Sequence, residues 1–305
     1  METRRVGSLG VSVVGLGCNN FGGRLDEERT RAVIDAALGE GITLFDTADN
    51  YGNTRSEEFL GRILEGRRDG VVLATKFGGW REDLGREGGA RPEYVREAAE
   101  ASLRRLRTDR IDLYQLHTPD ETTPIADTLG ALDELVREGK VREIGCSNFT
   151  AAELRQADGA ARASGGARFV SVQNELNLLA TDDVDDGLSK AARLGMAYIP
   201  YFPLASGLLA GKFRRGEPLP AGTRVAGWPA ERRDEQLTDA TWDRIEELTR
   251  FAEERGHSLL ELAFAWLLTK EPVASVIAGA TAPEQVAANV AASRWRPPAS
   301  EIAYP

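Results

Sequence analysis

Eight short apolar runs alternate with longer amphipathic stretches, and this alternation constrains the fold more than any other feature of the sequence. The runs are rich in β-branched residues and carry little polar alternation, which is typical of parallel strands covered on both faces. They occupy residues 13–18, 43–46, 71–76, 111–117, 141–147, 169–174, 197–201 and 274–277. The stretches between them have helical periodicity, and several open on a capping residue or proline and close at glycine.

The regular spacing of these units predicts an α/β protein, a (β/α)8 TIM barrel forming a single domain over residues 1–305. A doubly wound open sheet is the alternative. The first strand leads into GLGCNNFG (15–22), however, which breaks the G-x-G-x-x-G dinucleotide pattern. Long loops follow the third and seventh predicted strands, at residues 78–91 and 202–237. Both therefore belong to the carboxyl-terminal face, where barrels carry their active sites.

Charge and cysteine content exclude several classes of function. The net charge of −10, from 38 basic and 48 acidic side chains, argues against partners such as nucleic acids or anionic membranes. Two cysteines are too few for a disulfide framework, and no apolar stretch approaches the ~18 residues of a membrane span. The amino-terminal residues METRRVGSLG have no apolar run after their two arginines, so no signal peptide is expected there. The sequence predicts a cytoplasmic protein with no metal site, and it leaves a monomer or a homo-oligomer open.

Four ionisable side chains lie at or just after the ends of three consecutive predicted strands. Asp46 ends the second strand and Tyr51 follows it, while Lys76 and His117 end the third and fourth. Neighbouring strand ends converge at one mouth of a barrel, so we expect the four groups to meet there. Asp46 or Lys76 alone is explained equally well by a buried ion pair, and His117 alone is more often a core histidine. Their joint placement favours catalysis.

The chemistry of this group is that of an acid catalyst. An ordinary tyrosine has a pKa of about 10, too high for efficient proton donation near neutral pH. A lysine ammonium next to Tyr51 is expected to lower that pKa, and Asp46 to hold Lys76 charged. His117 is expected to orient a carbonyl group by hydrogen bonding.

Motifs over nearly the whole chain, from about residue 11 to residue 292, resemble those of the aldo-keto reductase family. They are DTADNYG (46–52), SEE (56–58), LG (60–61), DLYQLH (112–117) and GKVREIGCSNF (139–149), together with the strand that ends in Lys76. The resemblance implies reduction of aldehydes or ketones to alcohols by hydride transfer from NAD(P)H. It assigns catalysis to the same four residues, Asp46, Tyr51, Lys76 and His117.

Further positions match the family's dinucleotide contacts, and the resemblance alone carries them. Those for the nicotinamide carboxamide and ring are Ser147, Asn148, Gln173 and Tyr201. Those in the segment that crosses the pyrophosphate are Pro203, Leu204, Ser206 and Gly207. The basic positions for the 2′-phosphate are Lys212 and Arg224. Those around the last strand and helix are Gly279, Thr281, Gln285 and Asn289.

The basic positions favour NADPH as the cofactor, with NADH less favoured. Three departures from the family pattern weigh on this assignment and leave the catalytic set untouched. Residues 277–279 read IAG where many members have IPG, Ala288 stands where many have glutamate, and no arginine directly follows Ala280.

The resemblance implies a small carbonyl compound as the substrate. Three loop aromatics are candidates for the pocket wall, with ordinary loop packing an equal alternative: Phe21, Trp80 and Trp228. The short proline-rich tail after residue 292 indicates an open site. The long segment 202–237 resembles the corresponding segment in a subgroup of the family, the bacterial sugar-type and general carbonyl reductases. Members of this subgroup in turn resemble potassium-channel β subunits.

Three other functions stay open at this point. Potassium-channel β subunits share the family fold and bind NADPH as redox-sensing partners, which makes a regulatory subunit with little turnover one alternative. An NAD-linked sugar dehydrogenase is another. A Schiff-base aldolase needs a lysine of lowered pKa, whereas Asp46 beside Lys76 is expected to raise it.

Overall fold

The computed structural model describes residues 1–79 and 89–302, which form two strands of a hairpin followed by a closed parallel barrel. The strands are β1 (Thr3–Val6), β2 (Leu9–Ser12), β3 (Val14–Gly17), β4 (Leu44–Asp46), β5 (Val72–Phe77), β6 (Ile111–Leu116), β7 (Val141–Ser147), β8 (Phe169–Gln173), β9 (Ala197–Tyr198) and β10 (Val276–Gly279). The sheet order is β10-β3-β4-β5-β6-β7-β8-β9. A parallel bridge between Tyr198 and Val273 joins the two ends of this order. The predicted (β/α)8 barrel is thereby confirmed.

Helices connect successive barrel strands and cover them from outside. They are α1 (Glu27–Gly39), α2 (Arg55–Ile63), α3 (Pro92–Leu106), α4 (Ile125–Arg137), α5 (Ala151–Ser164), α6 (Gly187–Leu194), α7 (Ala230–Gln236), α8 (Asp239–Glu253), α9 (Leu259–Leu268) and α10 (Pro283–Ala292). Thr150 and Ser258 form capping boxes at the starts of α5 and α9. Helix α6 begins five residues later than the predicted start at 182, because Asp182–Val184 form a separate 3₁₀ turn.

The hairpin β1–β2 is absent from the predicted elements, and it packs at the amino-terminal end of the barrel. Val6, Leu9 and Val11 are fully buried in an apolar cluster with barrel residues such as Leu44 and Val72, at the starts of β4 and β5. The sequence signal is weak because each hairpin strand has four residues and β1 buries only the last of them.

The segment predicted as a long loop after the seventh barrel strand, 202–237, is partly helical. It contains two 3₁₀ turns, Ala205–Ala210 and Val225–Gly227, and then helix α7. The other predicted loop, 78–91, lies mostly outside the described residues, and Trp80 lies there with it.

Side-chain alternation places an apolar layer and then a polar layer in the barrel interior. Residues two apart on a strand point to the same side. On β5, Val72 and Ala74 belong to the interior apolar cluster, so Lys76 lies on the same side one step further along. On β6, Leu113 is followed in the same way by Gln115. The strand periodicity thus delivers polar groups to the carboxyl-terminal mouth.

Candidate active site

A buried ion pair lies at the floor of the carboxyl-terminal mouth. The ammonium Nζ of Lys76 donates to Asp46 Oδ2 over 2.6 Å and to the Thr47 carbonyl over 2.9 Å. Its third contact is the Tyr51 hydroxyl at 3.4 Å. The Lys76 side chain has no exposed surface. The ammonium is therefore fixed by acceptors on one side and faces the phenol on the other.

The pKa values of this group follow from burial and from the close charges. Burial lowers the pKa of Lys76, but Asp46 and Tyr51 raise it by more, so the net pKa lies above its ordinary value. Lys76 stays charged, as expected from its carboxylate partner, which argues against Schiff-base chemistry.

The prediction that the pKa of Tyr51 is lowered is wrong, because its net pKa lies above the ordinary value. Burial raises the pKa of Tyr51, and the opposing effect of Lys76 is smaller. The contribution of Lys76 has the predicted sign, but sequence reasoning did not weigh the loss of solvent around the phenol. Tyr51 therefore carries its proton throughout the neutral range.

His117 lies beside Tyr51 as a neutral imidazole. The two rings meet edge to face, with centroids 5.8 Å apart. Burial and the nearby Lys76 charge lower the pKa of His117 to about 3. Its Nδ1 is buried and has no hydrogen-bond partner among the described residues. A Cβ on Gly79 would lie 2.6 Å from that nitrogen, so glycine at this position leaves room for the ring.

A cavity of about 760 Å³ opens directly above these groups. Asp46, Tyr51 and His117 form part of its wall, and Lys76 lies beneath it. All fourteen positions matched to dinucleotide contacts also line it, from Ser147 to Asn289. The fold thus brings into one cavity residues that are spread over most of the chain.

At one end of the cavity, amide and hydroxyl groups hold one another in fixed directions. Ser147 Oγ donates to the Gln173 carbonyl over 2.6 Å, and Asn148 Nδ2 donates to the His117 carbonyl over 2.9 Å. Tyr201 donates its hydroxyl to Asn148 Oδ1 over 2.8 Å. Asn148 adopts a left-handed backbone conformation (φ 61°), and its side chain joins Ser147, at the end of β7, to His117, which follows β6.

The middle of the cavity is bordered by the start of the 202–212 segment. Phe202, Ala205, Ser206 and Gly207 all have positive φ, an uncommon run outside glycine. The small residues Ala205, Ser206 and Gly207 allow the backbone to approach a ligand closely. This arrangement suits backbone recognition of an anionic group.

The other end of the cavity carries the positive charge. Arg224 Nη2 donates to Asn20 Oδ1 over 3.0 Å and lies 3.3 Å from Asn19 Oδ1. Burial and the neighbouring Arg24 lower the pKa of Arg224 from its ordinary value. Lys212 also lines the cavity and is exposed. Arg224, Lys212 and Arg24 all line this part of the cavity, and such cations can bind a phosphate group.

The start of α10 borders the same end. Gln285 Oε1 accepts the backbone N–H of Thr281 over 2.8 Å and lies 3.3 Å from its hydroxyl. Gly279 faces Asn20, whose Nδ2 would lie 3.3 Å from an added Cβ. The donor set, cationic at one end and built of amides and neutral aromatics at the other, fits a dinucleotide with a phosphate-bearing adenosine and an uncharged nicotinamide amide.

Two of the three candidate wall aromatics do not line the cavity. Phe21 is fully buried in the apolar core, and its neighbours Asn19 and Asn20 line the cavity in its place. Trp228 packs against the core, has the Arg232 guanidinium 4.5 Å from its ring, and does not line the cavity. Trp80 lies outside the described residues.

Three cavity residues and one residue buried beneath the cavity are missing from the predicted site. Asn19, Asn20 and Arg24 follow β3 and could have been suspected from that position alone. Gln115 could have been found from spacing, because it lies on the same side of β6 as Leu113. Its Nε2 donates to Asp46 Oδ1 over 3.1 Å.

Other classes of site receive no support from the described part of the chain. Within 1–79 and 89–302, no group of three or more metal-ligating side chains is found. Over the same ranges, no helix is long and apolar enough to cross a membrane. Cys18 and Cys146 are both free and buried, and burial raises the pKa of each thiol.

Comparison with known proteins identifies the family of this chain. The family model described as "Aldo/keto reductase family" matches residues 13–304. The chain belongs to the aldo/keto reductase family. It is therefore related to oxidoreductases that carry their chemistry at the carboxyl-terminal mouth of such a barrel.

Individual relatives cover nearly the whole chain. A probable voltage-gated potassium channel subunit beta from Oryza sativa subsp. japonica is 32% identical over 300 residues, which span 96% of this chain and 91% of the relative. The corresponding protein of Arabidopsis thaliana is 31% identical with the same coverage. The solved structure of aldo-keto reductase AKR11C1 from Bacillus halodurans, in its holo form, is 32% identical. It superposes with a TM-score of 0.79 over 99% of this chain and 95% of that one.

Proposed function

We propose that this protein is a cytoplasmic, NADPH-dependent carbonyl reductase that converts aldehydes or ketones, including sugar-derived ones, to alcohols. The observation that carries the proposal is the hydrogen-bonded chain Asp46–Lys76–Tyr51 at the floor of the cavity, with neutral His117 beside the phenol. This chain supplies a proton donor at the place where a carbonyl oxygen can enter.

The cavity residues fit the nicotinamide cofactor in the order the resemblance implies. Arg224 and Lys212 are proposed to hold the 2′-phosphate, and the backbone of the 202–207 run the pyrophosphate. Ser147, Asn148 and Gln173 are proposed to hold the carboxamide, with Tyr201 against the ring. When bound, NADPH supplies a hydride equivalent for the carbonyl carbon.

The protein's own residues supply the proton and orient the carbonyl group. Tyr51 retains its proton at neutral pH and gives it to the carbonyl oxygen as negative charge develops there. Lys76 stabilises the phenolate that remains, because its ammonium lies 3.4 Å from the hydroxyl oxygen. Neutral His117 donates a hydrogen bond to the same carbonyl oxygen without competing for the proton.

The test is NADPH oxidation by the purified protein with a panel of aldehydes, ketones and aldoses. We expect Tyr51→Phe to lower kcat by about 10²- to 10⁴-fold, the usual contribution of a positioned acid, while NADPH affinity stays nearly constant. Tyr114→Phe is the matched control, since Tyr114 is a fully buried tyrosine whose hydroxyl has no hydrogen-bond partner among the described residues. Equal loss of cofactor binding and turnover in Tyr51→Phe would remove the proton-donor role.

A second function is favoured by the relatives named as probable potassium channel β subunits. A regulatory NADPH-binding protein predicts tight cofactor binding with no turnover on any carbonyl of the panel. Assays with NADH, and with NAD⁺ and sugars in the oxidative direction, separate an NAD-linked sugar dehydrogenase from both. We favour catalysis because the proton donor and its charged partner are aligned.

A further inference from the structure

Gln115 lies beneath the cavity and forms hydrogen bonds with both Asp46 and Gln173. Its side chain has no exposed surface. Its Nε2 donates to Asp46 Oδ1 over 3.1 Å, and its Oε1 accepts from Gln173 Nε2 over 3.3 Å. Gln173 Nε2 also donates to Asp46 Oδ1, over 2.9 Å. One buried amide therefore touches both the carboxylate that holds Lys76 and the amide proposed to meet the nicotinamide.

The chemistry of the partners decides which way each amide points. An ionised carboxylate accepts hydrogen bonds and donates none, so the atoms of Gln115 and Gln173 that face Asp46 must be nitrogens. Gln173 then has both amide hydrogens engaged, one by Asp46 Oδ1 and one by Gln115 Oε1. Its oxygen is the group left to meet a ligand in the cavity that Gln173 lines.

The barrel makes room for this amide at a specific place. A Cβ on Gly145 of β7 would lie 3.3 Å from Gln115 Cγ and 2.5 Å from Ser171 Oγ. A larger residue at 145 would push against the Gln115 side chain. The glycine and the glutamine therefore belong to one packing arrangement across β6, β7 and β8.

We propose that Gln115 is a positioning residue that fixes Gln173 as a hydrogen-bond acceptor toward the nicotinamide carboxamide. This inference rests on the proposed NADPH binding. Gln115 acts through Gln173 and touches no ligand itself. Without the acceptor that Gln115 provides, one amide hydrogen of Gln173 loses its buried partner. The amide is then held by the single bond to Asp46, so its oxygen is no longer kept in one direction.

The test compares NADPH with adenosine 2′,5′-bisphosphate, which lacks the nicotinamide end. We expect Gln115→Met, which keeps the length and removes both hydrogen bonds, to weaken NADPH binding about three- to tenfold, the effect of one lost buried hydrogen bond. Binding of the bisphosphate should stay unchanged. Titration by intrinsic fluorescence measures both affinities without turnover, and Gln115→Leu repeats the test if the first variant is poorly folded.

A double substitution separates positioning from a general packing role. If Gln115 acts through Gln173, then Gln115→Met adds nothing to the loss of NADPH affinity in Gln173→Leu. Ser171→Ala is the control, because Ser171 is fully buried on β8 and its hydroxyl has no partner among the described residues.

Two results would overturn the role of Gln115. One is equal weakening of both ligands in Gln115→Met, and the other is multiplication of the two effects in the double variant. Failure of the wild-type protein to bind NADPH would overturn the proposed function together with this role, which distinguishes the two failures.

Discussion

At the scale of single residues, His117 shows how an environment changes what a side chain can do. A histidine in water titrates near pH 6.5, within the working range of most enzymes. Here burial and the Lys76 charge hold the pKa at about 3. The imidazole is therefore a neutral hydrogen-bonding group at any physiological pH, and it is unsuited to proton storage.

This shift predicts a pH dependence of stability. Between pH 6.5 and about 3 the unfolded chain binds a proton at residue 117 that the folded protein does not, so the free energy of unfolding falls as the pH is lowered. The slope from one such proton is at most about 1.4 kcal/mol per pH unit. Urea unfolding between pH 7 and 4 should show a shallower decline in His117→Asn than in the wild-type protein. Parallel declines would contradict the neutral state of His117.

Arg224 carries the residue-scale prediction for cofactor choice. Arg224→Ala should weaken NADPH binding about ten- to hundredfold, the range of a lost charge-assisted hydrogen bond in a partly buried site, and change NADH binding far less. Arg232→Ala is the control, because Arg232 lies in the same segment and outside the cavity wall. Equal losses for the two cofactors in fluorescence titrations would remove Arg224 from the 2′-phosphate site.

At the scale of elements, helices α2 and α3 approach each other closely behind β5, which carries one of the proposed catalytic residues. Gly61 of α2 lies so near α3 that an added Cβ would be 2.3 Å from the Arg105 carbonyl oxygen. Glu57, one turn earlier, is fully buried and accepts from Arg105 Nε over 2.6 Å and from Thr75 Oγ1 over 2.5 Å. This contact ties both helices to β5, which carries Lys76.

A glycine pair tests that close approach. Gly61→Ala should lower the free energy of unfolding by about 1–3 kcal/mol, the cost of overpacking against a backbone that has little room to move. Gly130→Ala in α4 should raise it by about 0.5–1 kcal/mol, because alanine favours the helix and nothing lies within 4 Å of its Cβ. Urea unfolding measures both. Stabilisation by both substitutions would show that α2 and α3 separate easily.

At the scale of the whole molecule, the hairpin β1–β2 contributes to stability at the end of the barrel opposite the cavity. It covers the amino-terminal end of the barrel, and the cavity opens at the carboxyl-terminal end. The Arg4 guanidinium fastens the hairpin to the barrel through the carbonyl groups of Val273 and Leu268, at 2.7 and 3.0 Å. The barrel strands connect the two ends. The side-chain hydrogen bonds of Asp46, Lys76 and Tyr51 do not reach the hairpin.

Truncating a hairpin side chain should therefore affect folding alone. Leu9→Ala is expected to lower the free energy of unfolding by about 2–5 kcal/mol, since Leu9 is 1% exposed. Leu9→Met should cost less than about 1.5 kcal/mol. The KM for NADPH should be the same in both variants and in the wild-type protein at a temperature where all are folded. A raised KM in Leu9→Ala would reveal coupling between the two ends.

The sequence by itself determined the barrel and the meeting of Asp46, Tyr51, Lys76 and His117. Both follow from local rules: apolar runs set the strands, and neighbouring parallel strands end at the same mouth. The strand ends that carry the proposed catalytic residues could be named for this reason without knowing any contact. The roles of these residues, and the cofactor, stay predictions until the variants are measured.

Only the tertiary structure decided the features that depend on distant neighbours. Gln173 and Asp46 are 127 residues apart in sequence, so no local pattern reveals the hydrogen bond that orients the amide. The direction of Phe21 into the core and the net pKa of Tyr51 depend on how much solvent the assembled fold removes. Burial depends on how the whole chain packs. A sequence pattern predicts it only within strands and helices, where apolar residues recur at a regular spacing.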